Sequence, residues 1–384
     1  MQFEFATANR IVFGPGTLRT ALAEMADYGR RALVVTGKSN RHYNSLARQL
    51  KAQGVACFVF NVTGEPDTAV IEAGTELARN ERCDLIIGIG GGSVVDSGKA
   101  IAALAANPGR LMDYLEVIGE GRPLTNAPIP YIAIPTTAGT GAEVTSNAVL
   151  ASASHRVKVS MRNPRMLPQL AVVDPELTLS MPPAVTAATG MDALTQLLEA
   201  YVSKRSNPLT DSLCSEGLKR SARSLKTAYL DGENLDARID MSIAGLFSGL
   251  ALANAGLGAV HGIAGPLGGM HPAPHGAVCA RLLPIVMEAN VEALRKRDRR
   301  SPTLARCRNV AEILTGSGSA TIGEGIRWLQ DLGRDLKIPP LSRYGLSADH
   351  IPDLVDRAQK ASSMKGNPVL LTEAELHQII EKAL

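Results

Sequence analysis

Along the first half of the chain, short β-branched runs alternate with amphipathic stretches whose apolar residues recur every three or four positions. Arg10–Phe13 leads into a Gly14–Gly16 turn, and Leu18–Met25 reads as a helix. Ala32–Thr36 reads as a buried strand ended by Gly37, Asn44–Gln53 as a helix and Cys57–Phe60 as the next strand. Thr68–Asn80 is predicted helical, with its acids early and Arg79 late, as the helix macrodipole favours. Asp84–Gly88 and Tyr131–Ile134 read as further strands, the second stopped by Pro135, and Ala171–Val173 closes this half before Asp174-Pro175. Strands separated by helices predict a parallel sheet with helices on both faces.

From Pro182-Pro183 onward the period changes. Residues 187–201, 211–228, 236–254, 259–267 and 284–296 read as helices, and 304–314, 322–332 and 348–358 follow with little β-branched alternation between them. A chain of 384 residues exceeds one ordinary core. The expected organisation is therefore an α/β dinucleotide-binding domain over residues 1–181 and an all-α, metal-binding domain over residues 182–384. A cleft between two such halves is a usual place for a ligand.

Composition narrows the function classes. Hydrophobic residues make up 45% and charged residues 20%, which fits a folded globular protein rather than a disordered one. The net charge is only +3, and the densest basic run, Arg295–Arg300, contains an acid and ends at Ser301-Pro302. It reads as a solvated helix end, so no nucleic-acid partner is expected. No stretch approaches about 18 consecutive apolar residues, and Met1–Ala6 has no basic segment ahead of an apolar core, so neither a membrane span nor a signal peptide is expected. The five cysteines are odd in number and widely spaced, which argues against a disulfide framework and for the cytoplasm.

Two loops carry candidate nucleotide chemistry. Gly88–Lys99, GIGGGSVVDSGK, follows an apolar strand; Gly90, Gly91 and Gly92 remove three consecutive Cβ atoms where backbone N–H groups can press on a pyrophosphate. The helix is expected to start near Ser93, whose hydroxyl can cap it or donate to phosphate. Pro135–Glu143, PTTAGTGAE, also sits at a strand end and can line the same crevice, where open parallel sheets bind ligands at their carboxyl edge. A tight turn and a solvated loop are the plainer readings of these segments. At Gly37, where an acid would hold a ribose 2′-hydroxyl, the chain runs Gly37-Lys38-Ser39-Asn40-Arg41, neutral to basic, so NADP is admissible.

The helical half carries candidate metal chemistry. Asp192 and Gln196 are four apart on one helix face, His261 opens a later helix, and His275 follows Pro274 in what reads as a rigid turn. Asp192, His261 and His275 with an open position suit Fe2+ or Zn2+ acting on an alcohol oxygen. Each histidine alone is an ordinary core or surface residue; the company of a nucleotide loop changes that. His42, His155, His350 and His377 lack such company, and His271 either borders the site or caps a turn.

These motifs, together with Val173-Asp174-Pro175, Gly190–Ala193 and Pro274-His275-Gly276, resemble the iron-containing (group III) alcohol dehydrogenases over nearly the whole chain. The resemblance implies a dehydroquinate synthase-like two-domain fold, with Gly90–Ser93 on the pyrophosphate and Asp96 near the nicotinamide. It places Thr136, Thr137 and Thr140 along the nucleotide and Lys158 on its phosphates or ribose. It carries the metal to Asp192, His261 and His275. Two positions depart: Gln196 and Gly265 stand where the family has histidines. An amide oxygen is a poorer donor than imidazole, so metal affinity should fall or water should complete the shell. Gly265 removes a proton-relay group, leaving water, a cofactor ribose hydroxyl or His271 to take the proton.

The expected activity is interconversion of a small alcohol with its aldehyde or ketone by hydride transfer, dependent on NAD(P) and a divalent metal, in a homodimer or larger homo-oligomer. Three alternatives remain open on sequence: a metal-independent reductase of the same fold, a dehydroquinate-synthase-like lyase, and a nucleotide sensor that has lost its metal.

Overall fold

A computed structural model describes residues 2–152 and 154–384. The chain forms two compact units: Ala6–Thr137 with Gly141–Leu179, and Ser180–Leu384 with Ala138–Thr140 and the N-terminal residues up to Phe5.

In the first unit, β1 (Ile11–Phe13), α1 (Thr17–Met25), β2 (Arg31–Gly37), α2 (Tyr43–Ala52), β3 (Ala56–Val62), α3 (Thr68–Asn80), β4 (Leu85–Gly90), α4 (Gly92–Ala105) and β5 (Tyr131–Pro135) alternate. They are followed by β6 (Asn147–Ser152), β7 (Val157–Arg162) and β8 (Leu170–Val173). Six strands form one parallel sheet in the order β1-β8-β5-β4-β2-β3. Strands β4, β5 and β8 are buried along their whole length, which explains their continuous apolar runs. On one face Leu33, Val35 and Ile86 pack with Ile71 of α3 and Ile101 of α4. On the other, Val34, Leu85 and Ile87 pack with Leu22 of α1 and Leu46 and Leu50 of α2. The alternation of apolar runs and amphipathic helices thus yields the expected parallel sheet covered on both faces. Strands β6 and β7, which the sequence reading did not place, pair as a separate antiparallel hairpin. Their residues alternate between buried and part-exposed positions, a weaker signal than a fully apolar strand.

The second unit is helical: α5 (Pro183–Val202), α6 (Pro208–Leu230), α7 (Leu235–Ala255), α8 (Ala259–Met270), α9 (His275–Arg297), α10 (Pro302–Thr315), α11 (Ile322–Asp335), α12 (Ile351–Lys360) and α13 (Glu373–Ala383). Helix α5 is buried from Gly190 to Val202 and is packed by α6, α7 and α9. A helix without a wet face has nowhere to place Asp192, Gln196 and Glu199 except among other protein groups. No single helix among the described residues is long and apolar enough to cross a membrane; α7 and α8 pass such a test only together, bent by 99°.

Helix α9 corrects one expectation. It begins at His275, not at Pro284, so His275 is a first-turn helical residue rather than part of a turn. Pro274 supplies the start: its carbonyl accepts from the Ala277 and Val278 N–H groups at 3.0 and 3.1 Å. Pro284 costs the helix one backbone hydrogen bond, and burial of Val278, Leu282, Leu283, Val286 and Met287 holds the helix through it. Helix α13, unassigned from the sequence, is opened by a reciprocal capping pair between Thr372 and Glu375.

Candidate functional site

In the α/β unit, the carboxyl ends of β2, β4 and β5 lie side by side, with Thr36 in register with Ile89 and Gly90 with Pro135. Strand order reverses between β2 and β4: β3 lies beyond β2, and β5 beyond β4. Parallel sheets bind ligands at such a reversal. Gly37, the Gly90–Gly92 run and the Thr136–Thr137 segment therefore share one edge. Gly90 allows strand and helix to meet, since a Cβ there would lie 2.6 Å from a Val94 methyl. Its carbonyl accepts from Thr136 N–H at 2.9 Å, tying the two loops together. Helix α4 starts at Gly92 behind Gly91, with no side chain capping it. Ser93 is thus inside the first turn and is not the cap. Its carbonyl accepts from the Ser97 hydroxyl at 2.7 Å. An α-helix N-terminus without a side-chain cap, facing a glycine turn, is a site for an anion.

Further residues of this unit form a buried polar strap. Lys99 is buried and donates to the carbonyls of Ala142 and Asn147, each at 2.7 Å, and to the Thr145 hydroxyl at 2.9 Å. Asp96 accepts from Val149 N–H at 3.1 Å and lies 3.5 Å from the Lys99 ammonium. Burial pushes the Asp96 carboxyl up, against the opposing pull of Lys99. Glu143, buried in the same group, is pushed up to about 7 by desolvation. Lys158, on β7, ion-pairs with Glu65 at 2.5 Å. Beyond Gly37, Lys38, Ser39 and Arg41 are exposed.

Thr140 falls with the helical unit, in the short stretch Ala138–Thr140, where the Gly139 carbonyl accepts from the Ser248 hydroxyl at 3.0 Å.

The helical unit brings together three of the expected metal residues and one that was not expected. Asp192 on α5, His261 on α8, and His275 and Cys279 on α9 place one ligand-type atom each within 4.8 Å of all the others. Asp192 Oδ1 is 3.3 Å from His261 Nε2 and 3.7 Å from His275 Nε2. Cys279 Sγ is 3.7 Å from His261 Nε2 and 3.6 Å from His275 Nε2. With α9 starting at His275, residues 275 and 279 share one helix face; the proline at 284 hid that spacing in the sequence.

Glu199 is the second residue that the sequence reading passed over. Seven positions after Asp192, it points along the same face of α5. It accepts from Val260 N–H at 2.7 Å and, through the other oxygen, from His261 Nδ1 at 2.7 Å. Asn367 accepts from Ala259 N–H at 3.1 Å, so two side chains from elsewhere satisfy the start of α8 behind an uncapped Gly258. The carboxylate fixes the His261 ring with Nε2 aimed at the other three donors, the arrangement that orients histidines in metal sites.

Gln196 directs its Nε2 at Asp192 Oδ2, 3.3 Å away, and its buried Oε1 has no hydrogen-bond partner among the described residues. At Gly265 a Cβ would meet nothing among the described residues within 4 Å apart from its own chain neighbours and the surrounding helix backbone. His271 ends α8 and meets His350 edge-on, ring centroids 4.7 Å apart.

Charge within the group is mutually supporting. Burial alone would raise the Asp192 carboxyl, but His275 and His261 hold it below the usual carboxylate value. Burial opposes protonation of His261 and His275, yet Cys279 and Asp192 raise both imidazoles. The Cys279 thiol, penalised by burial, is brought below its ordinary value by the two imidazoles. An oxygen, two nitrogens and a sulfur, gathered where Asp192, His261 and Cys279 are buried and His275 is partly exposed, fit a divalent metal of borderline softness.

Family models match the chain almost end to end: iron-containing alcohol dehydrogenase over residues 8–175, and the C-terminal part of the Fe-containing alcohol dehydrogenase family over residues 186–384. The chain belongs to the iron-containing alcohol dehydrogenase family. It is 35% identical to alcohol dehydrogenase 4 of Saccharomyces cerevisiae over 387 residues, covering 97% of this chain and 96% of that protein. A crystal structure of 1,3-propanediol oxidoreductase superposes with a TM-score of 0.92 at 33% identity, covering both chains completely. Sulfoacetaldehyde reductase from Bifidobacterium kashiwanohense, solved in complex with NAD+, gives 0.87 at 29% identity, covering 100% of this chain and 99% of that one. As an iron-containing alcohol dehydrogenase the chain is an alcohol–aldehyde oxidoreductase; neither the lyase nor the metal-independent reductase is favoured.

Proposed function

We propose that the protein catalyses NAD(P)-dependent interconversion of a small alcohol and its aldehyde or ketone, with residues 1–181 holding the nucleotide and residues 182–384 a divalent metal. The convergence of Asp192, His261 and His275 on one point, with Glu199 setting the His261 ring, carries the reading. When bound, the metal, Fe2+ or Zn2+, supplies a Lewis acid for the reacting oxygen, and the nicotinamide accepts or donates the hydride. Asp192 supplies the negative charge of the metal site. Gln196, hydrogen-bonded to Asp192 Oδ2, steadies that carboxylate.

Gly90, Gly91, Gly92 and Ser93 present backbone N–H groups and the start of α4 to the pyrophosphate. Thr136, Thr137 and Thr140 offer hydroxyls along the nucleotide, Asp96 approaches the nicotinamide, and Lys158 leaves Glu65 for phosphate or ribose. Gly37 and the basic residues after it admit a 2′-phosphate, so NADP is accepted as well as NAD. His271, partly exposed at the end of α8, exchanges the hydroxyl proton with water. The five free cysteines suit a reducing cytoplasm, and a homodimer or larger homo-oligomer is the expected assembly.

A panel of small alcohols and aldehydes, run with both cofactors under anaerobic Fe2+ and under Zn2+, tests the proposal. Reduced-nicotinamide absorbance should change only in metal-loaded protein, and His261→Ala should lose metal and turnover while keeping nucleotide affinity. Full turnover in metal-free protein, or wild-type turnover in His261→Ala, would overturn it.

A further inference from the structure

We infer that Cys279 is the fourth protein ligand of the metal centre, giving this chain an Asp–His–His–Cys donor set. The inference rests on reading Asp192, His261 and His275 as metal ligands.

The distances carry it. Ligand bonds of about 2.3 Å for thiolate sulfur, 2.0–2.1 Å for imidazole nitrogen and 2.0–2.2 Å for carboxylate oxygen define a tetrahedron with roughly 3.5 Å sulfur-to-nitrogen and 3.4 Å nitrogen-to-oxygen edges. The observed sulfur-to-nitrogen edges are 3.7 and 3.6 Å, and the nitrogen-to-oxygen edges 3.3 and 3.7 Å. Four separations are thus already those of four atoms sharing one small cation. Both imidazoles present Nε2 to the sulfur, and the Nδ1 of His261 is taken by Glu199, so that ring has one nitrogen left for an ion.

A buried cysteine is ordinarily a small hydrophobe. Cys214 and Cys307 fit that description: both are buried in the apolar core, and desolvation raises both thiols. Cys279 is equally buried, but its sulfur faces two imidazole nitrogens. Gln196 offers the weaker donor, a neutral amide oxygen that is buried without a hydrogen-bond partner among the described residues. Its amide nitrogen is directed at Asp192 Oδ2, while Oδ1 is the oxygen turned toward the histidines. A thiolate also changes which ion is held, because soft donors favour Zn2+ over Fe2+.

The test uses metal-depleted, otherwise intact protein titrated anaerobically with Co2+. The wild type should show the visible bands of a tetrahedral site together with thiolate-to-cobalt charge-transfer absorption in the near ultraviolet. Cys279→Ser should keep binding but lose the charge-transfer absorption, with affinity reduced by at least the roughly 10–100-fold seen on losing an outer-shell partner. Gln196→Ala should retain the absorption. X-ray absorption of zinc-loaded wild type needs no variant and should show one sulfur scatterer at about 2.3 Å. A cobalt site without thiolate absorption, or a zinc shell without sulfur, overturns the role of Cys279 and leaves the other three ligands standing. Failure of both ions to bind overturns the metal reading itself.

Discussion

Exchanging Glu199 for glutamine probes the metal site through a residue that touches no metal. The carboxylate accepts two short hydrogen bonds, one on each oxygen, from Val260 N–H and His261 Nδ1, both at 2.7 Å. An amide of the same shape has one acceptor oxygen and one NH2, so with the oxygen on Val260 N–H the NH2 faces His261 Nδ1, and either two donors oppose each other or the ring must give up its Nδ1 proton. Hydrogen bonds to charged groups contribute about 1.5–3 kcal/mol, and a buried donor left without a partner costs a similar amount. Metal-free Glu199→Gln should therefore lose on the order of 2 kcal/mol. For a unit of this size that lowers the melting temperature by roughly 4–8 °C. Because the freed imidazole no longer has a fixed tautomer, metal affinity should fall a further 10–100-fold, or about 1.4–2.7 kcal/mol. Calorimetry of chelator-treated protein reads the first effect, and zinc competition against a chromophoric chelator reads the second. An unchanged metal-free melting temperature would refute the account of how α8 is held. Unchanged zinc affinity would refute the orienting role.

Three further outcomes follow from other parts of the structure. Glu143, with its carboxyl raised to about 7, binds a proton more tightly folded than unfolded, so its own contribution to stability should fall by on the order of 3 kcal/mol as pH rises from about 4.5 to 7 and level off above; the wild type should lose that much more stability than Glu143→Gln over this range in urea unfolding, and equal slopes would sink the assignment. Gly276→Ala would set a Cβ 2.0 Å from the Ala188 carbonyl oxygen, prising the first turn of α9 from α5. It should cost about 1–3 kcal/mol and weaken zinc binding through His275, read by urea midpoint and chelator competition; wild-type values in both would show that the close approach is not needed. Gly265→Ala meets nothing within 4 Å and should stabilise the protein by about 0.5–1 kcal/mol in the same urea assay, so a lower midpoint would mean the space beside His261 is filled.

Much of this architecture was legible because burial imposes periodicity. Strand β4, read from the sequence as Asp84–Gly88 and observed as Leu85–Gly90, was legible because each observed position is inside, and α3 spans Thr68–Asn80 as read, with Arg79 in its last turn. What escaped had local rules pointing the wrong way. Pro284 sits inside α9, tolerated by core packing, and so concealed that His275 and Cys279 are one turn apart. Glu199 looked like one more helical acid, and only the closeness of α8 to α5, which no local pattern encodes, turns it into the anchor of an imidazole. The hairpin of β6 and β7 is half exposed and therefore half patterned.

The four donors sit on three helices, with α5 far from α8 and α9 in sequence, and an ion seated among them would bind folded chain and have no equivalent seat once the chain unravels. Stability then climbs with the logarithm of free metal. Under metal starvation the loss would reach abundance as well as rate, since chains lacking the clasp unfold more often and become available to proteases.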